Sequence, residues 1–197
     1  SLAPQLILCL CIASVALAIP APIWPSDWRC EFNFVELPSM VLTNWGTYYY
    51  NWGNGNEFMR VDNAKCPNNR NISCTAVSRD NTLYAYSEDR FCCVWHDDFI
   101  LTPPTWLQNA TYVGETRYYD TPAHQFKDFG GANYYETTDD KPIPLAFVPG
   151  SIAFMFNTWI SEVQSTSLFD LPANTDCSKP CQWNTNFEDS FILGHSN

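Results

Sequence analysis

Apolar and polar residues along this chain alternate with a period of two in short runs, and turn-forming residues interrupt the runs roughly every ten positions. Runs at 47–51 and 57–62 flank Trp52-Gly53-Asn54-Gly55-Asn56, whose Asn-Gly chemistry predicts a hairpin. Further extended runs are predicted at 75–78, 83–87 and 91–95. Beyond the Pro103-Pro104 corner, residues 111–119 alternate, which places Tyr112, Gly114, Thr116 and Tyr118 on one face and Val113, Glu115 and Arg117 on the other. Runs at 125–129, 133–138, 145–148 and 152–163 complete the set. The pattern predicts an antiparallel all-β architecture. No amphipathic helix of useful length is predicted, and a short one fits only at 28–41 or 105–109.

Residues 6–18 break this pattern. They form a continuous apolar run ending in Ala16-Leu17-Ala18, the small-x-small signature of a signal-peptide cleavage site, and the run is too short to span a bilayer. With no initial Met and no basic stretch ahead of Leu6, the sequence is expected to begin inside a longer leader. The expected organisation is a signal peptide at 1–18, an N-terminal arm at 19–43 rich in Pro and Trp, one β domain at 44–181, and a tail at 182–197. The expected localisation is secreted, extracellular.

Cysteine usage agrees with that compartment. Without Cys9 and Cys11 there remain Cys30, Cys66, Cys74, Cys92, Cys93, Cys177 and Cys181, which should be mostly paired in an oxidising environment. Cys66 and Cys74 bracket a polar loop and suit a local staple. Cys92 and Cys93 would face opposite ways on a strand and so reach different partners, for which Cys177 and Cys181 are the candidates. The odd cysteine is free, pairs between chains, or belongs to a partner. Two sequons, Asn71-Ile72-Ser73 and Asn109-Ala110-Thr111, predict glycosylation at Asn71 and Asn109 on surface loops.

Charge narrows the partners. Ten Lys and Arg against 21 Asp and Glu give a net charge of -11, which repels nucleic acid and anionic headgroups. Aromatic residues make up 16% of the chain and charged residues no more than that, so a large aromatic area must be buried.

Taken together, Tyr48-Tyr49-Tyr50, Arg60-Val61-Asp62, Phe91-Cys92-Cys93, Trp106-Leu107-Gln108-Asn109-Ala110-Thr111-Tyr112-Val113-Gly114, Asn133-Tyr134-Tyr135-Glu136-Thr137, Pro142-Ile143-Pro144-Leu145 and Phe169-Asp170-Leu171-Pro172 resemble the secreted ependymin-related proteins and their relatives with the lipoprotein-carrier (LolA/LolB-like) fold. The resemblance spans about residues 44–181. It implies a disulfide-stapled β fold, a strongly curved antiparallel half-barrel or a two-sheet sandwich enclosing an apolar pocket, with a lipid or other hydrophobic cargo and association with Ca2+. The period-two reading supplies pocket candidates independently: Tyr48, Tyr50, Tyr112, Tyr118, Leu145, Phe147, Phe154 and Phe156.

Catalytic chemistry is not expected. His96-Asp97-Asp98 is the one place where a histidine adjoins carboxylates, but adjacent strand residues face opposite ways and no nucleophile motif accompanies them. Asp97-Asp98, Asp139-Asp140 and Glu188-Asp189 lack the ligand spacing of an EF-hand, so Ca2+ is a possible cofactor without named ligands. The expected function is non-catalytic binding of a lipid or hydrophobic small molecule by a secreted glycoprotein, with a homodimer or a disulfide-linked partner as a possible assembly. The alternative is an extracellular structural or adhesion glycoprotein with a filled β core.

Overall fold

The computed structural model describes residues 19–53, 56–66, 72–87, 90–182 and 194–196. The expected leader, Asn71, Glu188-Asp189 and most of the tail lie outside these residues. The strands are β1 (Asp27–Glu36), β2 (Val41–Gly53), β3 (Asn56–Asn63), β4 (Cys74–Arg79), β5 (Thr82–Ser87), β6 (Phe91–His96), β7 (Phe99–Leu101), β8 (Thr111–Tyr118), β9 (Thr121–Lys127), β10 (Asn133–Thr137), β11 (Pro144–Val148), β12 (Ile152–Ile160) and β13 (Gly194–Ser196). One 3-10 turn, Thr166–Phe169, is present among the described residues.

Eleven strands form one antiparallel sheet in the order β6-β5-β4-β3-β2-β1-β12-β11-β10-β9-β8, and β7 pairs separately with β13. Two meanders, β1 to β6 and β8 to β12, are joined where β1 pairs with β12, from Arg29 opposite Ile160 to Glu36 opposite Ile152. Edges β6 and β8 do not pair, so the sheet is not closed. Laid flat, eleven strands would span about 48 Å. Leu83 of β5 and Phe126 of β9 nevertheless belong to one buried cluster, which requires the sheet to be strongly curved.

Alternation assigns the inner face. Trp28, Cys30, Phe32 and Phe34 of β1 point inward, and the register sets Tyr50 beside Trp28, Tyr48 beside Cys30, Phe156 beside Phe32 and Phe154 beside Phe34. Trp28 stacks on Tyr48 and Tyr50 at 5.0 Å each and on Trp159 at 4.2 Å. Gly46 sits opposite Phe32, where a Cβ would run into the Asp62 carbonyl and crowd the Phe32 ring. The Asp80-Asn81 turn between β4 and β5 takes positive φ at both residues (50° and 59°), which Asp and Asn tolerate and a tight hairpin demands.

The outer face carries a second cluster. Val77, Tyr86, Cys92, Phe169 and Cys177 are buried there, with Phe58, Leu168 and Leu171 packed against them. The covering segment, 164–181, runs as a strap tied by Cys92–Cys177 and Cys93–Cys181. The strap also shields edge β6, since Val94 N–H donates to Lys179 O at 2.8 Å and Cys181 N–H to Val94 O at 2.8 Å. The third disulfide is Cys66–Cys74. All three pairings fall within those expected from the sequence, and three disulfides place the chain in an oxidising environment.

Three expectations are corrected. Residues 28–41 hold no helix: the middle of what was expected as an arm is β1, the strand that joins the two meanders, because Trp28, Cys30, Phe32 and Phe34 alternate with Arg29, Glu31 and Asn33. Residues 105–109 form successive tight turns rather than a helix, with Trp106 N–H on Pro103 O, Gln108 N–H on Thr105 O and Ala110 N–H on Leu107 O. In β8 the register shifts between Tyr112, opposite Phe126, and Gly114, opposite Gln125. That bulge turns the following residues over, so Tyr112 faces inward and Tyr118 outward, contrary to strict alternation.

Candidate functional site

The inner face is where the structure gathers most of the residues singled out from sequence. Tyr48, Tyr50, Phe154 and Phe156 are buried in its cluster, and Tyr112 and Phe147 pack against it half-buried. Tyr118 lies instead on the outer face, its ring 4.7 Å from that of Tyr135. Leu145 is half-buried on β11 and is not a member of the inner cluster.

The hollow expected between these rings is filled, and the filling does not come from the sheet. To pass from edge β6 to edge β8 the chain crosses the inner side, so Phe99, Leu101 and Leu107 are buried in the same cluster. Tyr50 OH fixes this crossing by donating to Thr102 O at 2.8 Å. The second filler is the arm ahead of β1, whose Trp24 is 5% exposed. The Trp24 ring lies 5.2 Å from Trp28, 5.3 Å from Trp106, 5.4 Å from Trp159 and 5.8 Å from Phe156, mostly edge to face. Trp24 N–H donates to Pro104 O at 3.0 Å, which links the two fillers to each other.

A short polar chain runs through this apolar interior. Trp24 Nε1 donates to Tyr134 OH at 3.1 Å, and the Tyr134 hydroxyl in turn hydrogen-bonds the Glu136 carboxylate. Burial pushes the Glu136 carboxyl up to about 7, and the bond from Tyr134 works against that rise. His124 lies directly across from Glu136 on β9, with its Nδ1 3.3 Å from Tyr112 OH, and Glu115 of β8 follows in the same row. Trp28 Nε1 and Trp106 Nε1 are buried without a hydrogen-bond partner among the described residues. An indole N–H buried without a partner costs about 1–3 kcal/mol. Cys30 is the free cysteine among the described residues, 1% exposed, and burial raises its thiol well above the ordinary value.

The other candidates read differently. His96-Asp97-Asp98 forms the β6–β7 turn, with Asp98 at positive φ. Among the described residues no three His, Cys, Asp or Glu side chains are placed to hold a metal ion. Asn109 is exposed in the turn before β8. A polar groove of about 780 Å³ lies on the outer face, away from the aromatic cluster, and is lined in part by Arg60, Asp62, Thr75, Arg90 and Asp170. Sequence reasoning missed the fillers Trp24, Phe99, Leu101 and Leu107 as well as the β1 rings. The alternation of Trp28, Cys30, Phe32 and Phe34 was the available signal for the latter.

Residues 23–175 match the model of a family described as Domain of unknown function (DUF8395), a span that starts in the Trp24 arm, takes in β1 and ends in the strap. No curated protein matches the chain by sequence. Among solved structures the chain is similar to an uncharacterized conserved protein from Thermus thermophilus, with a TM-score of 0.54 and 11% identity over 80% of this chain and 91% of that one. That likeness is one of fold. It is also similar to MucB, with a TM-score of 0.45 and 12% identity over 78% of this chain and 60% of MucB, so it spans less than two thirds of that protein.

Proposed function

We propose that this chain, which belongs to the DUF8395 family, is a secreted glycoprotein that binds a lipid-like ligand on its inner aromatic face by exchange with its own filling segments, without chemistry. One observation carries the reading: the curved sheet supplies a ring-lined face wider than its own strands fill, and the arm and the crossing occupy the remainder. The resemblance to ependymin-related and lipoprotein-carrier proteins supports the same cargo. Exchange is energetically reasonable because each 100 Å² of apolar ligand surface buried is worth about 2.5 kcal/mol, comparable per unit area to what the departing side chains lose. The unpartnered indole N–H groups of Trp28 and Trp106 favour a ligand that brings an acceptor oxygen with its apolar body.

A second reading, a structural or adhesion glycoprotein with a permanently filled core, is favoured by the dense ring contacts of Trp24. Trp24→Ala separates the two. Under exchange, the variant takes up a fluorescent long-chain fatty acid more tightly than the unmodified protein, because the competing filler is weakened. If the core is permanent, the variant loses roughly 3–5 kcal/mol of stability and neither protein takes up the probe.

A further inference from the structure

We infer that the outer-face groove is a second, separate binding site, for a hydroxyl-rich carboxylate of the acidic-saccharide class, with Arg90 taking the carboxylate. Its volume of about 780 Å³ is in the range of small-molecule sites. The groove is also out of character with the rest of the chain. On a protein of net charge -11 with ten Lys and Arg in all, Arg60 and Arg90 line this one depression and Arg79 stands at its rim on Asp170.

The charges inside it are not equivalent. Asp62 Oδ1 accepts from Arg60 Nε at 2.9 Å and from Thr75 Oγ1 at 2.7 Å, while Asp170 Oδ1 accepts from Arg79 Nη1 at 3.1 Å. Arg60 is held further by its Nη1 on Leu168 O at 3.0 Å, so the strap and β3 set this guanidinium in place before any ligand arrives. Arg90 has no ion-pair partner among the described residues and is exposed. Among the described residues it is the positive charge of the groove that no carboxylate matches, and a guanidinium fork suits a carboxylate.

The remaining lining selects among anions. The second carboxylate oxygens of Asp62 and Asp170 are acceptors that repel a phosphate dianion but receive hydroxyl donors. The hydroxyls of Ser73 and Ser87 add both donors and acceptors. Ile72, Tyr86 and Pro172 offer apolar contact to the C–H faces of a sugar ring. Hydroxyls and one carboxylate on a partly apolar ring is the composition of a uronic acid.

The test is calorimetric titration of the full, disulfide-intact protein with digalacturonate, its dimethyl ester and sulfate, each repeated on Arg90→Ala, with the fold of the variant checked by its Tm. Digalacturonate is expected to bind, with affinity about tenfold or more weaker for the ester and for the exposed-site variant. The inference is overturned by any of four results: no binding of digalacturonate at millimolar concentration, equal binding of the ester, unchanged binding by Arg90→Ala, or sulfate binding as tightly as digalacturonate. This site stands or falls independently of the inner face, because no residue is shared between them.

Discussion

Cys30 sits between Glu31 and Arg29 in sequence but opposite Tyr48 in the sheet, and its environment decides its chemistry. Burial disfavours the thiolate, the reactive form, so Cys30 in native protein should resist iodoacetamide at neutral pH and be alkylated in concentrated denaturant; rapid native labelling of Cys30 would place this thiol at the surface. Glu136 is the other residue whose surroundings set its behaviour. A carboxyl raised from an ordinary 4.5 to about 7 contributes stability that is complete below the ordinary value and is lost as pH rises towards 7, because the unfolded chain releases its proton first. The groups facing Glu136 are Tyr134 on its own strand, His124 across β9 and Glu115 beyond it. Glu136→Gln should therefore be more stable than the unmodified protein above pH 7, with the gain shrinking as pH falls to about 4.5. Urea midpoints measured across that range would contradict the assignment if the difference were constant or grew towards acid.

At the level of elements, the strap is held by two disulfides and by Phe169 buried in the outer cluster. Cys92–Cys177 closes a loop of sequence separation 85, and its removal by Cys92→Ala with Cys177→Ala should cost about 2–4 kcal/mol in urea unfolding while the sheet persists in circular dichroism. Most strands were legible because a sheet with one buried face writes a period of two into the sequence; β9 to β12 follow from it, as does the sending of Cys92 and Cys93 to different partners. β1 was not read, although its alternation is as regular as any. Pro20, Pro22 and Pro25 precede it closely, and a proline-rich approach suggests an arm rather than a strand. The bulge in β8 was out of reach, since one additional residue leaves the period on either side intact and inverts only the face. Gly114, at φ 148°, is its one trace.

For the whole molecule, the curvature that brings β5 and β9 into one core was expected, and the filling of that core was expected only under the structural alternative. Periodicity says which side chains share a face of a sheet. It does not say on which side of the sheet a connection passes, and here the connection from β6 to β8 passes inside, taking Phe99, Leu101 and Leu107 with it and meeting Trp24 at Pro104. The outer groove was equally hidden, because it is made where the strap crosses β3 to β5 and no local run of sequence contains it. The account as a whole turns on whether the arm and the crossing leave the inner face when an apolar ligand enters. Hydrogen exchange of the protein with and without a bound long-chain fatty acid addresses this most directly. The predicted result is faster exchange at residues 19–26 and 99–110 on loading, with β1, β2 and β12 still protected; fatty acid bound with both segments as protected as before, or none bound at all, would contradict it.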